Sequence, residues 1–317
     1  MLRLFEIKRG NIRETPIGTS SQDQAIAEAA WLDAHEPDDE ERILLERLLR
    51  SELPQSEDVE EIEASARYFV DPVGIHVHSL FLAQSEGRSR TVSVACILQP
   101  NRLITIREEE LADFRLLRMR ARRGQIESHS PQELLVTLFE QKVENLADSV
   151  EDLHRKLEDV SHLVLEDDEA ELEDAIDQLA KLEDSNGKIR LCLMDTQRSI
   201  SFLQRHLRSQ PELQDTGREI MRDLDTLMSH TTFLFDKINF LMDSTQGFIN
   251  IEQNQIIKIF SIAAVVFLPP TLVASIYGMN FTQMPELEWL LGYPWALILM
   301  VLAGVTPYLF FKRKGWL

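Results

Sequence analysis

Apolar residues recur at alternating steps of four and three along the middle of the chain, which is the spacing of the apolar seam of a coiled coil. The first such series is unbroken over Phe139, Val143, Leu146, Val150, Leu153, Leu157, Val160 and Val164. A second helix is predicted from Leu172 past Leu203, and Pro211 marks the next boundary. We therefore predict long, coiled-coil-like helices over residues 131–257.

A third helix continues the same spacing and passes directly into an uncharged stretch. Its seam series is Ile220, Leu224, Leu227, Thr231, Leu234, Ile238, Leu241, Thr245 and Phe248. No proline occurs between residues 212 and 268, and the uncharged stretch begins at Ile259. The pattern predicts a stalk helix that becomes a membrane span without a break. Such a helix cannot bury its apolar stripe alone, so it needs partners.

Two stretches near the C-terminus are long enough to cross a bilayer, which takes about 20 apolar residues. Between Lys258 and Lys312 the only charged residues are Glu286 and Glu288. We predict a two-helix transmembrane hairpin with a first span at 258–280, a periplasmic loop at 281–291 and a second span at 292–311. The competing interpretation is two buried core helices, and the length of both stretches disfavours it.

The charges that flank the hairpin predict its orientation. The tail at 312–317 begins with three bases, whereas the loop between the spans carries only acids. Basic residues stay on the cytoplasmic side of a membrane. We therefore expect the C-terminus to be cytoplasmic, together with the N-terminus and the large N-terminal body.

The N-terminal part, residues 1–130, has a different pattern. Three runs rich in β-branched residues, at 73–82, 91–98 and 102–107, predict strands of a small sheet. Residues 36–41 combine a proline with five acids, which is typical of a helix start. We predict a compact α/β domain, so the fold class is an α+β membrane protein.

The charge balance excludes one class of partner. The chain of 317 residues has 53 acidic and 33 basic residues, for a net charge of −20, and nearly all the acids precede residue 259. Such a body cannot displace counterions from phosphates, so nucleic acid is not expected as a partner. Cys96 and Cys192 have no clustered spacing, which excludes a disulfide scaffold or a thiolate metal site.

The sequence contains few residues that suggest catalysis or metal binding. The sequence contains no nucleophile–base constellation, phosphate loop or metalloprotease helix, so we expect neither an enzyme nor an organic cofactor. His76 and His78 are interpreted as ordinary strand positions, because a metal site needs three or four ligands. Uncharged spans disfavour a proton relay or an ion-coupled carrier. Because two spans cannot enclose a water-filled path, transport would require several subunits around an axis.

One motif follows the first uncharged stretch, Tyr277-Gly278-Met279-Asn280-Phe281, and Met-Pro-Glu-Leu comes soon after it at 284–287. This motif, together with the stretches at 62–67, 190–198, 247–261, 267–281 and 308–317, resembles the CorA magnesium transporters of proteobacteria over essentially the whole chain. The resemblance implies a homopentameric funnel in the bacterial inner membrane, with the pore lined by the first span. It also implies uptake of Mg²⁺, and of Co²⁺ and Ni²⁺, down the membrane potential.

The resemblance places a selectivity filter at Gly278, Met279 and Asn280. Mg²⁺ holds its waters tightly in octahedral geometry, and a ring of amide and carbonyl oxygens can hydrogen-bond those waters without removing them. On local chemistry alone, a helix C-cap followed by a turn is the preferred interpretation, because glycine and asparagine are favoured there. The family resemblance reverses that preference.

Ungapped spacing from the motif carries further family positions onto the first span. Asn254, Phe260, Leu268 and Thr271 are expected to line the pore, with Phe260 and Leu268 as apolar constrictions. The alternative for these residues is packing against lipid or another helix.

Acidic residues are expected to act on either side of the pore. Glu286 and Glu288 in the loop could raise the local cation concentration, or could simply keep the loop hydrated. The family also has inhibitory Mg²⁺ sites between cytoplasmic domains, and ungapped spacing places Glu219, with Asp223 one turn on, at such a regulatory site. A bridging cation there would relieve repulsion between carboxylates.

Two other functions remain open on the sequence. One is a Zn²⁺ transporter of the same superfamily, which shares Gly-Met-Asn. The other is a membrane-anchored coiled-coil scaffold that conducts nothing.

Overall fold

The computed structural model describes residues 1–15, 22–49, 67–85, 87–166, 172–207, 210–280 and 284–316. The stretch 62–67 of the sequence motif lies outside these residues except for Arg67, and so does Phe281. The chain divides into two units, Met1–Met242 and Asp243–Leu317.

The first unit contains a seven-stranded sheet in the order β2-β1-β3-β7-β6-β5-β4. Its strands are β1 (Leu2–Lys8), β2 (Asn11–Thr15), β3 (Trp31–His35), β4 (Tyr68–Val70), β5 (Ile75–Ser85), β6 (Arg88–Leu98) and β7 (Leu103–Arg107). Only the β3–β7 pair is parallel, and the other neighbours are antiparallel.

The three predicted strands are confirmed as β5, β6 and β7. Strands β5 and β6 are longer than predicted, because their pairing continues beyond the apolar positions to Ser85 and Arg88. Gly87 closes this hairpin with a φ of 75°, a conformation that glycine adopts without strain. Strands β1 to β4 were not predicted.

Helices cover both faces of the sheet and make up most of the other described residues. They are α1 (Gln22–Glu28), α2 (Asp39–Leu49), α3 (Ala112–Arg122), α4 (Pro131–Glu166), α5 (Leu172–His206), α6 (Pro211–Tyr277) and α7 (Gly292–Arg313). The predicted helix start at 36–41 is confirmed, since Asp38 Oδ1 accepts from the amide of Glu41 at 2.9 Å. Helix α4 begins at Pro131, where Ser130 Oγ caps the amide of Glu133 at 3.2 Å.

Alternation along the strands divides the apolar residues between two cores. Leu4 and Leu32 face one core with Leu45 of α2. Phe5 and Trp31 face the larger core, where their rings stack 4.4 Å apart and where the inner faces of α3 to α6 are also buried.

The predicted seams are confirmed in the first unit. Every seam residue of α4 is buried, from Phe139 to Val164. The seam of α6 is buried from Ile220 to Leu241, apart from the half-buried Leu227. Helix α6 runs without a break to Tyr277, as predicted, and contains Pro269 and Pro270.

A buried lysine links the sheet to two of the long helices. The Nζ of Lys142, on α4, donates to Ser79 Oγ on β5 at 2.8 Å, and that hydroxyl donates to Asp195 Oδ2 on α5 at 2.6 Å. Asp195 also accepts from Tyr68 Oη at 2.8 Å and from the amide of Leu80 at 2.7 Å. Burial lowers the pKa of Lys142, and the nearby Asp195 carboxylate opposes that shift.

This network joins two of the stretches that carry the family resemblance. Arg67 ends the stretch at 62–67, and its Nη1 lies 3.3 Å from Asp195 Oδ1 in the stretch at 190–198. Because buried charges are costly unless they are paired and hydrogen-bonded, each partner depends on the others. The residues are therefore coupled in stability across the sheet and helices.

We predict that Asp195→Ala destabilises the protein strongly, because it leaves Lys142 as an unpaired buried charge. The expected cost is about 3–5 kcal/mol, or a fall of on the order of 10 °C in the thermal unfolding midpoint in detergent. Asp177→Ala is the matched control, since Asp177 lies on the same helix in an exposed pair with Lys181 and should cost less than about 1 kcal/mol. Equal shifts for the two variants would contradict the prediction.

Candidate ion pathway

The second unit contains two helices with the properties of membrane spans. The C-terminal part of α6 and helix α7 are both long and apolar enough to cross a membrane by length and composition. Most of their large apolar side chains are exposed in the single chain, including Phe267, Leu272 and Leu302. Exposed apolar surface of this extent is typical of a helix that faces lipid or other subunits.

One stripe of α6 packs towards α7. The less exposed side chains of this part of α6 are Ile262, Ala263, Val266, Pro269, Pro270, Val273 and Tyr277. On α7, Gly304 comes close to this stripe, because a methyl group built on it would lie 3.2 Å from Pro270 Cγ and 3.6 Å from Val266 O.

The predicted pore residues lie on the opposite side of α6. At 100° per residue, Phe260, Leu268, Thr271 and Gly278 fall within roughly 80° of one another, and Asn254 lies about 40° further round. Phe260 is 71% exposed and Leu268 is 65% exposed. We call this side of α6, from Asn254 to Gly278, the open face. Within the described residues, the chain provides nothing that covers it.

The Thr271 hydroxyl is not free to point along the open face in this conformation. It donates to the carbonyl of Phe267 at 2.8 Å, as threonine often does within a helix. Both lone pairs of the hydroxyl oxygen remain available to accept from water molecules.

The motif ends helix α6 without a left-handed cap. The amide of Gly278 donates to Ala274 O at 3.0 Å, and that of Met279 donates to Ile276 O at 3.2 Å. Neither Gly278 nor Met279 has a positive φ, so the helix ends in a turn, as its composition suggested, but without the left-handed glycine cap. A methyl group on Gly278 would lie 3.2 Å from Ala274 O, which is a tight contact. Asn280 follows in a non-helical, exposed position.

The loop acids lie in a short turn between the spans. Glu286 and Glu288 belong to a 3₁₀ turn at Pro285–Glu288, where Glu288 is exposed and Glu286 is half-buried. Gly292 begins α7 and packs closely on the carbonyl of Glu286. Neither carboxylate forms an ion pair with any other described residue, so both charges are uncompensated.

The proposed regulatory residues form part of an acidic cluster in the first unit. Burial raises the pKa of Glu140 on α4, and the charges of Glu144, Glu219 and Asp223 raise it further. Arg120 offsets part of this repulsion, since its Nη1 lies 3.6 Å from Glu144 Oε2. We call Glu140, Glu144, Glu219 and Asp223 the acidic cluster. Sequence reasoning found its α6 members and missed Glu140 and Glu144, because only the packing of α4 on α6 brings them together.

In the described part of a single chain, no three histidine, cysteine, aspartate or glutamate side chains are arranged to hold one metal ion. His76 fits this result, since its Nε2 lies 3.0 Å from Asp71 Oδ1 and no third ligand joins the pair.

Comparison with known proteins identifies the family. A family model described as CorA-like Mg²⁺ transporter protein matches residues 27–313. The magnesium transport protein CorA of Salmonella typhimurium is 48% identical over 319 residues, with 100% of both chains covered. The chain belongs to the CorA family. Because these relatives are named as transport proteins, the comparison fits our expectation that the chain is not an enzyme.

Solved structures agree with the CorA fold. The complete CorA magnesium transporter of Methanocaldococcus jannaschii has a TM-score of 0.77 and 18% identity, covering 100% of this chain and 99% of its own. The ZntB cytoplasmic domain of Vibrio parahaemolyticus has a TM-score of 0.59 and 12% identity, covering 78% of this chain and 97% of its own. At these identities, both structures show the fold alone.

We predict that Mg²⁺ stabilises this CorA-family chain through the acidic cluster, because a divalent cation relieves the mutual repulsion of the carboxylates. Millimolar Mg²⁺ should raise the thermal unfolding midpoint of the detergent-purified protein by several degrees, on the order of 2 kcal/mol. The double variant Glu219→Gln/Asp223→Asn should lose most of that rise.

Glu212→Gln/Asp236→Asn is the matched control for this experiment, since it removes the same charge from exposed positions of the same helix. It should retain the full response to Mg²⁺. A similar loss in both double variants would assign the effect to net charge and contradict a role for the acidic cluster.

Proposed function

We propose that the chain is one subunit of a homopentameric channel in the bacterial inner membrane. The channel carries hydrated Mg²⁺, and also Co²⁺ and Ni²⁺, into the cytoplasm down the membrane potential. The open face of α6 lines the pore, and Gly278, Met279 and Asn280 form the filter at its outer end.

The observation that carries this proposal is the open face itself. Its residues point away from α7, which occupies the opposite side of the same helix. If the open face only met lipid, the Thr271 hydroxyl would have only the carbonyl of Phe267 as a partner, and the side chain of Asn280, just beyond the outer end of this face, would have none among the described residues. Around a central axis, the same groups meet water and the passing ion.

The filter chemistry suits an ion that keeps its water. Asn280 is exposed, and its side chain forms no hydrogen bond with any described residue, so its amide oxygen is available to a hydrated cation. Neutral oxygens bind such a cation weakly enough for it to leave again, which conduction requires. Further along, Leu268 and Phe260 would narrow the path with apolar rings and let it close by dewetting.

The acids act on either side of this path. Uncompensated charge on Glu286 and Glu288 attracts cations to the outer mouth. The acidic cluster is the internal sensor, in which bound Mg²⁺ holds neighbouring subunits together and its loss allows the pore to open. The 48% identity to a magnesium transport protein favours Mg²⁺ over Zn²⁺ as the transported ion.

We predict that Asn280→Ala abolishes Mg²⁺ flux, because it removes the ring of amide oxygens that holds the water shell. The flux is measured in proteoliposomes that enclose a Mg²⁺-sensitive dye, and a loss of at least about 100-fold is expected from the missing charge-assisted contacts. Thr306→Ala is the matched control on α7, since its hydroxyl bonds only the carbonyl of Leu302 within its own helix.

The control variant should conduct like the unchanged protein, and both variants should insert equally into the liposomes. No flux from the unchanged protein would favour the non-conducting scaffold. Flux that prefers Zn²⁺ in a competition assay would favour the zinc transporter.

We predict that the purified protein is a pentamer, because only several copies can enclose the open face. Light scattering in detergent should give a protein mass of about five times the 36.6 kDa of one chain. Substitution of Leu268 by Asp should leave the mass unchanged if this residue faces the pore. A monomer or dimer would contradict the proposed arrangement.

A further inference from the structure

Arginine side chains surround a pocket of about 330 Å³ on the first unit, well apart in sequence from the acidic cluster and the filter. We call it the basic pocket, and it is lined by Arg3, Arg115, Arg118, Met119, Arg122 and Arg123. Such a concentration of positive charge is unexpected in a chain whose net charge is −20.

Helix α3 holds most of the lining in a fixed position. At 100° per residue, its pocket residues lie within roughly 140° of arc. The opposite side of α3 is buried in the larger core through Phe114, Leu117 and Ala121. The arginines therefore project from a helix that cannot rotate away without losing core contacts.

Carboxylates neutralise only part of the basic pocket. Arg118 is paired with Asp33 at 2.9 Å and with Glu110, and Arg122 is paired with Glu14 at 2.6 Å. Arg115 and Arg123 are exposed and form no ion pair with any described residue.

Arg3 contributes a further unsatisfied donor. Its Nη1 is buried without a hydrogen-bond partner and lies 3.9 Å from the nearest carboxylate oxygen of Glu110. Since Glu110 is also shared with Arg118, it cannot fully satisfy Arg3. The pocket thus retains positive charge and donors for an anion to use.

The spacing of the arginines in the basic pocket indicates which kind of anion would fit. Arg115 and Arg123 are eight residues apart, or roughly 12 Å along the axis of α3, so an anion that contacts both without drawing their side chains together is longer than one phosphate group. Guanidinium groups recognise phosphate oxygens with paired hydrogen bonds. The described lining contains no aromatic side chain, so recognition is expected to rest on the guanidinium groups and the phosphate oxygens they bind.

We propose that the basic pocket binds an oligophosphate, a chain of two or three phosphates that is either free or the tail of a nucleotide. Arg115 and Arg123 contact its two ends, and Arg3, Arg118 and Arg122 contact it between them. Bound Mg²⁺ neutralises part of the charge of such a ligand, so the metal-free form binds more tightly.

The test is calorimetric titration of the detergent-purified full chain with tripolyphosphate in metal-free buffer. Saturable binding is expected, and Arg115→Ala/Arg123→Ala should weaken it by at least about tenfold. Arg115→Lys/Arg123→Lys keeps the charge but loses the paired hydrogen bonds, so its affinity should lie in between. Since both positions are exposed, neither variant should alter the unfolding midpoint.

Arg155→Ala/Arg205→Ala is the matched control, because it removes two exposed arginines from α4 and α5 and should leave the affinity unchanged. An equal loss in this control, or no saturable binding by the unchanged protein, would overturn the proposal. Adenosine triphosphate should bind like tripolyphosphate, and adenosine alone should not compete. Competition by adenosine would mean that the site recognises the nucleoside, and would overturn the oligophosphate assignment.

Discussion

A single long helix cannot bury the apolar residues along its own length, and this constraint shapes both units of the protein. In the first unit, α6 covers its seam from Ile220 to Leu241 in the core that the sheet and the other long helices share. In the second unit, α7 covers only one stripe of the same helix. The open face is what remains, and its mixture of apolar and neutral polar residues suits neither water nor lipid alone. In the proposed pentamer, the other copies of the chain would cover this face.

Charge is distributed differently in the two units. The described spans contain no ionisable side chain apart from Tyr277, Tyr293, Tyr308 and the bases at their ends, so on the proposed path a cation would meet only neutral oxygens. The first unit instead concentrates opposite charges in separate places. Lys142 and Asp195 are buried and paired, the acidic cluster is offset only in part by Arg120, and the basic pocket is neutralised only in part by carboxylates. Paired charges stabilise the fold. Where like charges remain unpaired, their repulsion is relieved by a ligand of opposite charge, and this relief favours binding.

Periodicity predicted the features that depend on the chain's own pattern, and missed those that depend on packing. The seams of α4 and α6, the unbroken helix to Tyr277 and the two spans all repeat over many residues, so the signal was strong. Strands β1 and β3 were missed because each buries apolar residues on both faces of the sheet, as Leu4 and Phe5 of β1 do, so neither shows a simple alternation. The partners of Asp195 come from three distant parts of the chain, and no spacing rule could join them. The pore positions came from resemblance, since the open face is recognisable only after α7 is placed.

Pro270 has no amide hydrogen, so the carbonyl of Val266, four residues earlier, loses the donor that a regular helix supplies. Gly304 lies against this carbonyl and against the ring of Pro270. The Cα hydrogens of a glycine are the groups best able to approach such an oxygen. A larger residue at position 304 would need a different residue at 270, so the two positions are expected to vary together during evolution. Pro270 in the first span therefore restricts which residues are compatible with position 304 in the second span.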